Sequence, residues 1–162
     1  MKKEKEQYKK LIRSIIVILL VACETIIFMH YWINIYNKYT VFPFFQKGHW
    51  MMAAMYIIYQ IIFLYIFGGL KVGYLKKANI IFSQVLAMLG SNVIIYLQIV
   101  LLSVRFVNIV PMMKATLVDI CVVVIVAIIS ESIFRKLFPP RELIVLYEDY
   151  DPDEFIKKMN SR

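Results

Sequence analysis

Residues 11–36 read LIRSIIVILLVACETIIFMHYWINIY, and this stretch decides the fold class. Its apolar character is interrupted only at Arg13, Ser14, Glu24, Thr25, His30 and Asn34. A helix needs about 20 mainly apolar residues to cross the roughly 30 Å of hydrocarbon in a bilayer. Backbone groups in lipid must be hydrogen-bonded within their own segment, and the stretch contains no proline. It is therefore predicted to be a transmembrane helix.

Three further apolar stretches of similar length follow at 49–67, 80–103 and 112–134. The connecting segments 37–48, 68–79 and 104–111 are short, which makes consecutive helices antiparallel neighbours. The chain is 61% hydrophobic and only 19% charged, outside the range of soluble domains. The sequence thus predicts an all-α membrane protein, a four-helix up-down transmembrane bundle.

The basic residues predict the orientation of the bundle. The net charge of +8 would suggest nucleic acid on a soluble protein, but here the positive residues lie at the edges of the apolar stretches, so no nucleic-acid partner is expected. Twelve lie on one side of the predicted bundle: Lys2, Lys3, Lys5, Lys9, Lys10, Arg13, Lys71, Lys76, Lys77, Arg135, Lys136 and Arg141. Four lie on the other: Lys38, Lys47, Arg105 and Lys114. This asymmetry predicts a multi-pass protein with both termini cytoplasmic.

The boundaries give three regions. Residues 1–10 form a polar cytoplasmic segment, residues 11–136 the transmembrane domain, and residues 137–162 the start of an incomplete cytoplasmic α/β domain. In the last region, ELIVLYE at 142–148 is predicted to be a strand. Asp151-Pro152-Asp153-Glu154 is typical of a helix start. Together they would open a βα unit.

Glu24 and Asp119 are the ionisable residues deepest in the predicted helices. An intramembrane carboxyl is a functional candidate, and Glu24 could carry the proton of a proton-coupled transporter. The structural alternative is a hydrogen bond that holds helices together, with Gln60 or Asn92 at similar depth as partner. No partner for Asp119 is evident from the sequence. Glu131 and Arg135, four residues apart, are expected to pair at a helix end.

The sequence predicts no cofactor or metal site. Cys23 and Cys121 lie inside apolar stretches, and His30 and His49 flank the predicted outer interface without enough further ligands for zinc. Trp32, Tyr36, Tyr39 and Trp50 are expected near that interface. No catalytic, cofactor-binding or metal-binding residue can be assigned.

Two stretches carry a resemblance. Residues 68–100, GGLKVGYLKKANIIFSQVLAMLGSNVIIYLQIV, combine a basic glycine loop with a third helix bearing Ser83-Gln84, Asn92 and Leu97-Gln98. Phe138-Pro139-Pro140-Arg141 then leads into the ELIVLYE strand. In this layout the chain resembles the N-terminal portion of bacterial polyprenyl glycosylphosphotransferases, which act in exopolysaccharide and capsule synthesis.

The resemblance implies a membrane anchor followed by a cytoplasmic Rossmann-like domain and a catalytic domain. That last domain transfers a sugar-1-phosphate from a nucleotide sugar to polyprenyl phosphate, using Mg²⁺ and an Asp-Glu dyad. Its motifs are not among these residues, so Mg²⁺ is expected only for the missing domain. The implied setting is the bacterial cytoplasmic membrane. The implied partners are the bilayer, the catalytic domain or pathway proteins, with self-association left open.

Two functions are therefore weighed. The first is the anchor and scaffold of such a transferase. The second is a self-sufficient small four-helix transporter or accessory membrane protein that uses Glu24. The strong charge asymmetry and the predicted βα unit favour the first, because small dual-topology exporters need a weak charge bias and have little mass outside the membrane.

Overall fold

The computed structural model describes residues 2–72 and 77–137. Four long helices account for most of this part of the chain: α1 (Lys2–Asn34), α2 (Gln46–Ile66), α3 (Lys77–Ser103) and α4 (Val110–Leu137). A short 3-10 turn, Tyr36–Tyr39, follows α1. These described residues contain no strand. The prediction of an all-α four-helix bundle is confirmed, whereas the predicted βα unit in 137–162 falls almost entirely outside the described residues.

All four helices are long and apolar enough to cross a membrane. The candidate spans are Gln7–Asn34, Gln46–Ile66, Ala78–Ser103 and Val110–Phe134. Only 28% to 33% of the most apolar window of each span is buried within the bundle, so most of its apolar side chains face outward. Lipid is the medium in which such a surface is stable. The chain is a multi-pass membrane protein.

The helices form a closed ring in chain order. Each helix packs against the next, and α4 packs back against α1. Phe28 of α1 stacks on Tyr56 of α2 with ring centroids 4.5 Å apart, and Trp32 donates a hydrogen bond to His49 over 3.1 Å. Later residues of α1 therefore meet earlier residues of α2, as antiparallel packing requires.

The segments 35–45 and 104–109 are tied together at one end of the bundle, called here the Tyr36 end. Tyr36 donates to the Asn108 carbonyl over 3.2 Å, and Tyr96 donates to the Val107 carbonyl over 2.6 Å. Burial raises the pKa of the Tyr36 hydroxyl to about 12, so it remains a protonated donor at neutral pH. Asn37 fixes the first segment by bonding both the amide and the carbonyl of Phe44.

Two of the four aromatic residues expected near the interface are buried in the core of the bundle. Trp32 and Tyr36 are fully buried and belong to a cluster with Phe28 and Tyr56. Trp50 is 77% exposed and Tyr39 is 42% exposed, as expected of side chains that face lipid or headgroups. Trp32 is drawn inward because His49 gives its indole N–H a partner inside the bundle.

The opposite end, called here the Gly68 end, contains the turn after α2. Gly68 has φ +75°, a left-handed conformation that glycine adopts without strain. A Cβ on Gly69 would lie 2.7 Å from a Leu64 methyl group and 3.3 Å from Gln84 Cγ, so the backbone passes close to α3. The Gln84 amide donates to the Gly69 carbonyl over 3.4 Å. This contact joins the turn to the first turns of α3.

Candidate functional site

Six side chains form a buried polar layer between the helices. We use "the polar layer" for Glu24 on α1, Tyr56 and Gln60 on α2, Asn92 on α3, and Thr116 and Asp119 on α4. Glu24, Tyr56 and Gln60 are fully buried, while Asp119 is 1% and Asn92 5% exposed. Every helix thus places a polar side chain in the interior of an otherwise apolar bundle.

Asn92 connects three helices. Its amide oxygen accepts a hydrogen bond from the Tyr56 hydroxyl over 3.0 Å. Its NH₂ group donates to Thr116 Oγ1 over 3.0 Å and to Asp119 Oδ2 over 3.2 Å. The partner of Asp119 that the sequence left unassigned is therefore Asn92.

Glu24 is placed opposite Gln60 by the packing of α1 on α2. Phe28 stacks on Tyr56, and Glu24 precedes Phe28 by four residues while Gln60 follows Tyr56 by four. Four residues are about one helical turn, so in an antiparallel pair both steps lead to the same level of the same interface. Both side chains are fully buried there.

The hydrogen bond expected from Glu24 to Gln60 or Asn92 is not formed. Within residues 2–72 and 77–137, both carboxyl oxygens of Glu24, both amide atoms of Gln60 and Asp119 Oδ1 are buried without a hydrogen-bond partner. Asn92 does not bond to Glu24 because its amide is already engaged by Tyr56, Thr116 and Asp119. The Glu24 carboxyl group nevertheless lies close enough to Asp119 and to the Tyr56 hydroxyl to interact electrostatically with both.

A cavity of about 410 Å³ lies between α3 and α4 beside the polar layer. Its walls are almost entirely apolar, and Asn92, Tyr96 and Thr116 supply its polar groups. Since Asn92 and Thr116 also belong to the polar layer, the cavity adjoins the side chains that hold Asp119.

The remaining candidate residues do not assemble into a site. His49 accepts from Trp32, and His30 lies near Asn34 on the exposed side of α1. Cys23 and Cys121 are free thiols, the second of them exposed on the bundle surface. In the part of the chain that the structure describes, no three His, Cys, Asp or Glu side chains come together as a metal site requires. The Glu131–Arg135 pair stays a prediction, because the Arg135 side chain is not among those described.

Comparison of the chain with family models, with curated proteins and with solved structures gave no match in any of the three. The chemistry of the polar layer is accordingly inferred from its own residues.

Sequence reasoning identified four of the six members of the layer and missed Tyr56 and Thr116. Tyr56 carried a usable signal, since it precedes Gln60 by four residues and must lie on the same face of α2. Thr116 carried a similar signal, because it precedes Asp119 by three residues on α4. The arrangement as a whole gives two carboxyl groups and two amides in a buried interior, where charge–charge interactions are stronger than in water.

Proposed function

We propose that this chain is the membrane anchor and scaffold portion of a polyprenyl-phosphate sugar-1-phosphate transferase that acts in exopolysaccharide or capsule synthesis. The sugar-phosphate chemistry is assigned to a catalytic domain whose motifs lie outside these 162 residues. The bundle would hold that domain at the bilayer surface, where the phosphate of the lipid substrate lies.

The observation that supports this proposal is the structural role of the residues that carry the resemblance. In residues 68–100, Gly68 forms the turn and Gly69 passes close to α3, where Gln84 bonds to it. Asn92 links three helices, and Gln98 accepts a hydrogen bond from Tyr59 over 3.0 Å. The glycines and polar side chains of this stretch thus contribute to helix packing, as a scaffold would require.

A second candidate function, a self-sufficient four-helix transporter, is favoured by one observation. The polar layer places Glu24 and Asp119 between the helices with unpartnered oxygens. Intramembrane acids that face a bundle interior commonly mark ion or proton pathways. A flux assay in sealed vesicles separates the two functions, because a scaffold moves no substrate across the bilayer.

The test of the scaffold function uses the reading frame that continues from, or follows, the Arg162 codon. The purified chain in lipid vesicles is expected to release no nucleoside monophosphate from nucleotide sugars in the presence of polyprenyl phosphate and Mg²⁺. Expression together with that reading frame is expected to give Mg²⁺-dependent release in the membrane fraction, and the reading frame alone much less.

The matched control for this test compares two glycine variants. Gly69→Leu forces a side chain against Leu64 and Gln84, so it should lower the activity of the pair by disturbing the α2–α3 turn. Gly68→Asn places a Cβ in ordinary contact with Lys71, 3.9 Å away, and uses a residue type enriched at positive φ, so it should lower activity less than Gly69→Leu. Mg²⁺-dependent release by the chain alone would refute the scaffold function. Full activity of the second reading frame without the chain would also refute it.

A further inference from the structure

The polar layer has more buried oxygen atoms than protons to satisfy them. Four oxygens, Glu24 Oε1 and Oε2, Gln60 Oε1 and Asp119 Oδ1, have no hydrogen-bond partner among the described residues. Buried polar groups are nearly always satisfied by protein, water or an ion, most strictly in a membrane interior. Several such atoms in one layer indicate that something else completes it.

Gln60 distinguishes this layer from a simple pair of buried acids. Its side chain is fully buried, neither of its amide atoms has a partner, and it lies across the α1–α2 interface at the level of Glu24. A neutral amide there contributes no charge to repel a carboxylate, but it does provide an oxygen ligand. Carboxylate and amide oxygens are the groups that coordinate hard cations.

No described basic side chain is positioned to neutralise the two carboxyl groups. Arg13 precedes Glu24 by eleven residues, about 16 Å along the helix at 1.5 Å per residue. Lys47 lies in the first turn of α2. Lys114 precedes Asp119 by five residues and is exposed on the outside of the bundle. The other titratable groups in or close to the layer are Tyr56 within it, Tyr96 on α3, Cys23 next to Glu24, and Cys121 two residues after Asp119.

We propose that the polar layer binds one exchangeable monovalent cation, a proton or a sodium ion, between Glu24, Gln60 and Asp119. Either ion supplies positive charge to a layer that has two acids and no described base. A proton on one carboxyl group would also donate a hydrogen bond to an unpartnered oxygen. A divalent ion fits less well, because Ca²⁺ takes six to eight oxygen ligands and Mg²⁺ keeps several waters that this packed interior would have to hold.

The cavity between α3 and α4 adjoins the layer. Asn92 and Thr116 contribute to the cavity wall, and the Asn92 amide donates to Asp119. This inference goes beyond the scaffold function and does not depend on it, because a bound cation can stabilise an anchor as well as a transporter.

The experiment measures thermal unfolding of the full chain in lipid nanodiscs. NaCl, KCl and choline chloride are compared at equal ionic strength over a range of pH, with infrared spectra of the protonated carboxyl C=O stretch at each point. If sodium binds, Tm rises with the logarithm of the sodium concentration and does not respond to potassium or choline. The carboxyl band then weakens as sodium is added.

If the proton is the ligand, sodium has no effect and the carboxyl band titrates with pH. The band, or the sodium response, should be lost or strongly reduced in Glu24→Gln and Asp119→Asn. Gln60→Leu should reduce the sodium response. Glu131→Gln, which removes a carboxyl group near the end of α4 and outside the layer, should preserve both responses.

One result overturns the proposal: a wild-type Tm that does not respond to sodium, together with a wild-type spectrum that shows no protonated carboxyl band at pH 6 or above, where exposed carboxyl groups are ionised. The wild-type titrations decide this outcome even if a layer variant fails to fold. The scaffold function is tested separately by the transferase assay, so failure of one does not imply failure of the other.

Discussion

Asn92 brings together side chains from α2, α3 and α4 through a single amide group. Its oxygen accepts from Tyr56, and its NH₂ group donates to Thr116 and Asp119. A primary amide can donate twice and accept twice, so it can link residues that differ in donor and acceptor character. No hydrophobic side chain of the same volume could do this.

Asn92→Leu is expected to destabilise the bundle more than Gln98→Leu. The first change leaves the buried Tyr56 hydroxyl and the Asp119 carboxyl without a partner, at about 1–3 kcal/mol for each unsatisfied buried group. The second removes the bond from Tyr59 at a partly exposed position, for which about 0.6 kcal/mol is typical in membranes. Unfolding by SDS from mixed micelles measures both. Equal midpoints would contradict the assigned role of Asn92.

The sequence predicts which polar residues lie deep in the membrane, but not how they pair. Glu24, Gln60, Asn92 and Asp119 are identifiable because each interrupts an apolar stretch. Their pairing depends on the rotation of each helix about its axis. Periodicity cannot supply that rotation here, since residues on the lipid-facing side and the core-facing side are both apolar. The expected bond from Glu24 to Gln60 or Asn92 was wrong, because Asn92 is engaged by other partners and Gln60 makes no hydrogen bond to Glu24 although the two lie at the same level.

At the scale of the helices, the α1–α2 contact is the most aromatic interface described. Phe28 stacks on Tyr56, and Trp32 bonds to His49 and meets Phe44 edge to face at 5.7 Å between ring centroids. These rings fill the interior of the bundle at the Tyr36 end. The position of Trp32 near a helix end gave no sign of this, because it does not determine which side of α1 faces the bundle.

The two tryptophans are expected to differ sharply in their contact with lipid. Trp32 is fully buried in the bundle, and Trp50 is 77% exposed. In vesicles of brominated lipid, the fluorescence of Trp32 in a Trp50→Phe variant should be quenched weakly, and that of Trp50 in a Trp32→Phe variant strongly. Comparable quenching of the two would mean that Trp32 faces lipid and that the α1–α2 interface is assembled differently. Circular dichroism of both variants checks that they fold.

At the scale of the whole molecule, the bundle and its bilayer setting follow directly from the sequence. Four apolar stretches with short connections allow few other folds, and the helix bounds agree with the stretches to within a few residues, apart from the polar N-terminal extension of α1. Orientation stays a prediction from the basic residues. Lys71 is exposed in the turn after α2, as a topology-determining charge should be.

Replacing Lys71, Lys76 and Lys77 together with Gln is expected to leave the helices inserted but to raise the fraction of molecules in the opposite orientation. These residues are three of the twelve basic residues counted near the predicted cytoplasmic ends of the helices. Labelling of an engineered cysteine in the α2–α3 turn with a membrane-impermeant reagent measures that fraction, after Cys23 and Cys121 have been replaced by Ala. The same background without the Gln substitutions is the control. Unchanged labelling would show that these three charges are redundant in setting the topology.

The contact between α4 and α1 has one more consequence. Ile16 and Leu20 of α1 pack in the same cluster as Val123 and Val126 of α4, so the first helix begins and the last helix finishes at the Gly68 end. With the ring closed, the order of the helices around it is independent of where the polypeptide is cut. A circular permutant that joins the end of α4 to the start of α1 and opens the turn after α2 would keep every helix–helix neighbour. The arrangement of the helices is cyclic in this sense, although the polypeptide is linear.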